Sequence, residues 1–216
     1  PNPAAPAPEA APAAPAAPAP AAAPETPAPA VSNLPTFESP AEWMASLSTL
    51  PGYALTSFGE THLKDFVDEA HELLGQLSAG LLKLEEVADD PGELVNDLFR
   101  YFHNLKGNSG IVGYNELNRL THEAETLLNN VRKGEMGISN DLVDLLLLTV
   151  DALDALINAV DIPGGRANPL DMAALEEKLE RAASGGGVEM PFALPGAAPV
   201  AAAAPAASCR RWTRAS

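Results

Sequence analysis

Residues 101–114 read YFHNLKGNSGIVGY, and in this stretch a histidine, a lysine and three glycines interrupt an otherwise helical pattern. A glycine inside a helix costs roughly 1 kcal/mol relative to alanine, so Gly107, Gly110 and Gly113 need a physical reason. Either another element packs on bare backbone there, or a surface is kept clear for a second molecule. Phe102 and Leu105 continue an apolar stripe that begins with Leu94 and Leu98. His103 lies about 100° round from Phe102, at the edge of that stripe or beyond it. Lys106 and Gly107 share its face, and Gly110 continues the row. A side chain able to carry a proton or a phosphoryl group is thus followed by a cation and then by bare backbone. Large residues at 107 and 110 would obstruct a protein approaching His103, so both glycines read as partner-docking positions, with tight helix packing as a second contributor.

The helical period continues in both directions. Upstream, Phe66, Ala70, Leu73, Leu77, Gly80, Leu84 and Val87 alternate four and three apart from Thr61 onward, as one face of a helix requires. That helix ends at DDPG, where Pro91 can open the next. Downstream, a third helix starts near Asn115 with Leu117, Leu120, Ala124, Leu127 and Val131 inward. It closes at Gly134 with Arg132 and Lys133 in its last turn. Ser139 or Asn140 can cap a fourth helix, which carries Leu142, Leu145, Leu146, Leu153, Leu156 and Val160. DIPGGRANP breaks the chain, and a fifth helix runs from about Pro169 to Ala183 with Leu175 and Leu179 inward. Short connections make neighbouring helices antiparallel. The expected fold is all-α: an antiparallel up-down four-helix bundle with an appended fifth helix.

Composition sets the boundaries. Residues 1–35 are a Pro/Ala-rich tract that cannot bury enough apolar surface to fold and reads as a disordered linker. Residues 36–57 are a short helix and connector, with Ser39 as cap, Pro40 at the first position and Glu42 completing a capping box. Trp43, Met44 and Leu47 then face one way, either onto the bundle or toward another protein. Residues 58–183 form the bundle, and residues 184–216 are a Gly/Ala/Pro-rich linker ending in an atypical tail. Linkers on both sides, and a start at Pro1, suggest an internal piece of a longer protein.

The net charge of −16 argues against nucleic-acid binding and against anionic membrane surfaces. Cys209 is the single cysteine, so neither a disulfide framework nor a cysteine-built metal site is available. No apolar run reaches the ~20 residues of a membrane span, and a cytoplasmic, monomeric domain is expected.

The third helix carries a second polar cluster, THEAE. Antiparallel packing across SGIVGY brings its Glu125 beside His103, where the carboxylate can accept from the imidazole Nδ1–H. That leaves Nε2 unprotonated and stabilises positive charge on the ring. The stretch HNLKGNSGIVGYNELNRLTHEAETLLNNVRKGEM, residues 103–136, resembles the histidine phosphotransfer (HPt) domain of CheA-type chemotaxis kinases. The family's H-x-x-K-G pattern stands at His103, Lys106 and Gly107. Its small-residue G-x-x-G turn stands at Gly110 and Gly113, and its aromatic-led helix bearing T-H-x-x-E at Tyr114, Thr121, His122 and Glu125. The resemblance covers roughly residues 60–183. It implies that His103 accepts phosphate at Nε2 and that Glu125 orients it, while Lys106 and His122 steady the phosphoryl oxygens or the donor. It also implies two partners: a histidine kinase catalytic domain, in the same chain or another, and the receiver domain of a response regulator.

No ATP-binding glycine box occurs in the chain. ATP and Mg²⁺ are therefore expected from the partners, with no cofactor and no metal in this domain. Two other readings compete. A helical adaptor without chemistry explains the bundle but leaves Gly107, Gly110 and Lys106 without a purpose. A metal-binding bundle would use Asp68 to His71 and His122 to Glu125, but the second pair runs in the wrong order for inward Glu-x-x-His ligands.

Overall fold

A computed structural model describes residues 35–56, 59–86 and 91–193. Among these residues there are six helices and a small sheet: α1 (Pro40–Ser46), β1 (Tyr53–Ala54), α2 (Glu60–Glu86), α3 (Gly92–Val112), α4 (Asn115–Lys133), α5 (Asn140–Asn158), β2 (Val160–Asp161), β3 (Arg166–Ala167) and α6 (Ala173–Ala183). α3 packs on α2 and α4, α5 packs on the same two helices, and α6 lies along α4. Between them the inward stripes meet, with Leu77, Leu81, Leu98, Phe102, Leu105, Leu117, Leu120, Leu127, Leu142 and Leu145 fully buried. Full burial of a leucine or phenylalanine side chain contributes about 1.5–3 kcal/mol, and these stripes are the main hold on the helices.

Local signals set the helix ends. Ser39 Oγ accepts from Glu42 N–H, and Ser139 Oγ accepts from Leu142 N–H, so both serines cap as expected. The Glu42 carboxylate accepts from Glu38 N–H rather than from the cap residue itself. Gly113 and Gly134 end α3 and α4 in the left-handed region at φ 75°. At Gly113 a Cβ would also meet Thr56 Oγ1 at 2.8 Å, so this turn tolerates no side chain. The start of α4 is capped from a distance: Tyr53 Oη accepts from Asn115 N–H at 2.8 Å and donates to Glu116 at 2.5 Å. Burial and the Glu116 carboxylate push the Tyr53 hydroxyl up to about 12, which keeps its proton in place for that bond.

Three expectations need correction. The fold is mostly helical but not purely so, because DIPGGRANP does not simply break the chain. It carries the turn of a hairpin in which β2 pairs antiparallel with β3, and β1 pairs with the other edge of β3. Asp161 Oδ1 accepts from Gly164 N–H inside that turn, and Gly165 adopts φ 60°. The fifth expected helix, α6, begins at Ala173 rather than Pro169. The residues before it are extended and paired with the segment after α1: Leu50 N–H donates to Pro169 O and Asp171 N–H to Ser48 O, both at 2.8 Å.

The third correction concerns the chain on either side of the bundle. Residues 184–193, expected as linker, are packed. Phe192 is buried, stacked on Trp43 with ring centroids 5.5 Å apart and edge-on to Phe37 at 6.2 Å. Glu189 reaches back to α6, 2.8 Å from Lys178 Nζ and 3.5 Å from Arg181. The backbone of Ala193 donates to Pro35 O and accepts from Phe37 N–H, both at 3.0 Å. Described residues as far out as Pro35 and Ala193 therefore belong to the packed unit, and Trp43 faces the protein's own chain. Residues 1–34 and 194–216, where the rest of the linker expectations fall, lie outside the described residues. No helix among the described residues is long and apolar enough to cross a membrane.

Candidate functional site

His103 on α3 and Glu125 on α4 face each other across the helix pair, with Nδ1 3.0 Å from Oε1. The second carboxylate oxygen, Oε2, lies 2.6 Å from Lys106 Nζ. Burial alone would raise the Glu125 carboxyl. Hydrogen bonds from Lys106 and His103, and the charge they bring, outweigh it and hold the group below its ordinary value. An ionised carboxylate has no hydrogen to give, so the hydrogen in this contact belongs to Nδ1, and in the neutral imidazole Nε2 across the ring then keeps its lone pair. The His103 side chain is 60% exposed and that of Glu125 only 11%, so a reagent from solvent meets the imidazole and not its anchor.

Asn118 fixes the register of the two helices at this point. Its Nδ2 donates to Lys106 O at 2.8 Å and to Ser109 Oγ at 3.2 Å, while Ser109 Oγ donates to the same carbonyl at 2.8 Å. The glycines differ in what surrounds them. A Cβ at Gly107 would meet nothing within 4 Å, so no neighbour requires that glycine and its surface lies open. A Cβ at Gly110, itself exposed, would stand 3.4 Å from Asn118 Nδ2, in ordinary contact with the end of an α4 side chain. Gly113 serves the turn.

The remaining expected site residues are placed less uniformly. Lys106 does not stand free beside Nε2; its ammonium is bound to Glu125. His122 is exposed, with Nδ1 3.2 Å from Glu123 Oε1, and touches neither His103 nor Lys106 through any hydrogen bond. It does line, with Phe99, Lys106, Glu125, Thr126 and Asn129, a pocket of about 140 Å³ beside the His103–Glu125 pair. A larger pocket of about 360 Å³ lies elsewhere, between α2 and α5, and contains none of these residues. His71 borders it, 3.2 Å from Asn158 Oδ1. Among the described residues no three His, Cys, Asp or Glu side chains converge as a metal site would need.

The sequence reading missed several neighbours. Ser109 and Asn118 look like ordinary polar helix residues until the two helices are set side by side. Phe99, one turn before His103, stacks its ring near the imidazole with centroids 6.1 Å apart and planes 15° from parallel. The Arg132 guanidinium stands 4.0 Å over the Phe99 ring. The i, i+4 spacing of Phe99 and His103 was a signal for the first contact, whereas nothing local announces the second.

Comparison with known proteins finds relatives of the bundle. Residues 62–160 match the family model described as Hpt domain. The chain is 34% identical over 119 residues to the sensor histidine kinase CheAY of Helicobacter pylori, covering 55% of this chain and 15% of that protein. It is 36% identical over 119 residues to the chemotaxis protein CheA of Bacillus subtilis, covering 55% and 17%. The chain thus spans about a sixth of the length of the curated relatives it matches. Among solved structures, the phosphorylated P1 domain of CheA3 in complex with CheY6 from R. sphaeroides shares the fold. Its TM-score is 0.51 at 24% identity, over 59% of this chain and 99% of that one. Residues 62–160, which hold His103, therefore match the Hpt domain family, and the region is homologous to CheA-type chemotaxis proteins.

Proposed function

We propose that this domain is a phosphorelay carrier in a chemotaxis or related two-component pathway. His103 takes a phosphoryl group at Nε2 from ATP held by a histidine kinase catalytic domain and gives it to an aspartate of a response regulator. The observation that carries this reading is the His103–Glu125–Lys106 arrangement: the carboxylate keeps the hydrogen on Nδ1, and the bare Nε2 lies on an exposed ring beside the open surface of Gly107.

In the transfer step the Nε2 lone pair forms the bond to phosphorus while the bond to the ADP oxygen breaks, its electron pair leaving with ADP. The ring becomes positive, and the Glu125 carboxylate on the Nδ1–H stabilises that charge. Positioning and charge neutralisation supply most of the rate in such transfers. ATP and Mg²⁺ come with the partners. Lys106 is released from Glu125 toward the phosphoryl oxygens when they arrive, and His122 closes the same pocket from α4. The homologous kinases support the donor class. The structural relative described in complex with CheY6 supports a response regulator as acceptor.

We further infer that α2 to α5 run antiparallel in turn. The hydrogen-bonded pairs His103–Glu125 and Lys106–Asn118 set later α3 residues against earlier α4 residues. The working location is the cytoplasm and the domain acts as a monomer.

The test is phosphorylation by a CheA-type kinase core with labelled ATP, read as acid-labile, base-stable label. Label is expected in the wild type and none in His103→Gln. Label that persists in the variant would overturn the assignment.

A further inference from the structure

Glu125 holds His103 at one atom only. A single hydrogen bond at Nδ1 leaves the ring free to turn about that bond, and an imidazole this exposed has room to change rotamer. The Nε2 lone pair lies in the ring plane, so turning the ring swings the lone pair away from the line of attack. An in-line displacement at phosphorus needs that direction fixed. A second constraint is present at Phe99, whose ring stacks near the imidazole at 6.1 Å and 15°, within the range of offset aromatic pairs. Phe99 is held in turn. The Arg132 guanidinium covers its ring at 4.0 Å, and Arg132 Nη2 donates to Asn129 Oδ1 at 2.8 Å, which fixes the cation to α4.

We infer that Phe99 is a positioning residue for His103 and that Arg132 acts as a clamp on Phe99, so that the plane of the imidazole is set before any donor arrives. Two helices then hold the ring jointly. From α4 come the anchor at Nδ1 and, through Arg132, the far end of a stack that α3 begins. Phe99 and Asn129, which the clamp joins, also line the pocket that His122 and Lys106 border. This rests on His103 being the phosphoacceptor, and it assigns to the ring's orientation a device separate from the one that sets its tautomer.

The test uses phosphoramidate, a small donor that needs no protein docking. The Nε2 lone pair forms the bond to phosphorus, the donor's P–N bond breaks, and its electron pair leaves with ammonia. The wild-type chain and Phe99→Leu, Phe99→Trp, Arg132→Ala and Arg132→Lys would be compared. Two readouts are taken: the rate of phosphohistidine formation by ³¹P NMR, and the Hα–Hβ couplings of His103, which report its χ1 rotamers. The wild type is expected to show one rotamer. Phe99→Leu, which keeps bulk but loses the flat face, is expected to show averaged couplings and about two- to tenfold slower phosphorylation. Phe99→Trp restores both, Arg132→Ala moves both the same way by less, and Arg132→Lys recovers part of that loss. Unchanged couplings and rate in Phe99→Leu, with its thermal melt intact, would overturn the inference. Should Phe99→Leu fail to fold, Arg132→Ala with wild-type couplings and rate would overturn it instead. If phosphate enters a residue other than His103, as judged by His103→Gln, the proposed function fails. The couplings alone then decide whether the stack orients the ring.

Discussion

Replacing Glu125 by glutamine keeps the length of the side chain and a carbonyl acceptor, and removes one negative charge. That charge now accepts from His103 Nδ1 at 3.0 Å and faces Lys106 Nζ at 2.6 Å. Two terms change in the transition state. The positive charge growing on the imidazole loses its counter-charge, and the Lys106 ammonium, no longer neutralised, opposes that growth. Hydrogen bonds to charged groups contribute about 1.5–3 kcal/mol, and a tenfold change in rate corresponds to about 1.4 kcal/mol, so a loss of roughly 10- to 150-fold is expected. Coulomb's law brackets the same figure. Unit charges 3.0 Å apart interact by about 1.4 kcal/mol in water and about 5.5 kcal/mol at an effective dielectric of about 20. The exposed imidazole places the pair toward the lower part of that span. The assay is single-turnover phosphorylation, with phosphoramidate and separately with a kinase core, beside a thermal melt to verify folding. A Glu125→Gln variant within about threefold of wild type in both reactions, while His103→Gln is inert, would refute the reasoning.

Acid should weaken the structural part of the same contact. The Glu125 carboxyl lies below its ordinary value of 4.5 in the folded chain, so its contribution is complete above that value and is lost as pH falls through the lower folded one. The stability gap between wild type and Glu125→Gln in urea melts is expected to narrow from about pH 6 to about pH 3. Gly107→Ala, with open space around the new Cβ, should raise stability by about 0.5–1 kcal/mol. Gly107→Trp should block label transfer from a kinase core yet leave phosphoramidate phosphorylation intact, which separates access from chemistry. Gly113→Ala meets both a left-handed backbone and Thr56, and should cost at least about 1–2 kcal/mol in the same melts. Phe192→Ala should cost about 3–5 kcal/mol. In a Trp212→Phe background, where Trp43 is the remaining indole, it should also shift the emission to the red.

What could be read from the sequence were the features whose causes lie close together along it. Stripes at helical spacing put Leu98, Phe102 and Leu105 inward, and the caps at Ser39, Ser139 and Gly134 mark helix ends because a cap acts within one turn. The inward residue in the first turn of α3 is Val95 rather than Leu94, a shift of one position that periodicity alone does not resolve. The sheet stayed hidden because strands of two residues have no period to detect, and its third strand comes from more than a hundred residues earlier. Residues 184–193 share the Gly, Ala and Pro content of a linker, and only the pairing of Phe192 with Trp43 reveals them as part of the packed unit. At the site, the proximity of His103 and Glu125 followed from two stripes and one short turn. The choice Lys106 makes between Glu125 and open solvent, and the reach of Arg132 to Phe99, depend on side-chain rotamers on neighbouring helices. A helical pattern leaves those open.

The backbone bonds between Ala193 and the pair Pro35 and Phe37 bear on how the domain responds to a pull along the chain. The two short segments run parallel at Thr36 and Ala193, so drawing the chain apart at its two exits slides one segment along the other. Both hydrogen bonds, each 3.0 Å long, are then loaded together in shear rather than opened one after the other. The load passes across this latch and does not enter α3 or α4 until the latch gives way. A tether under tension would therefore leave the imidazole and its carboxylate in register.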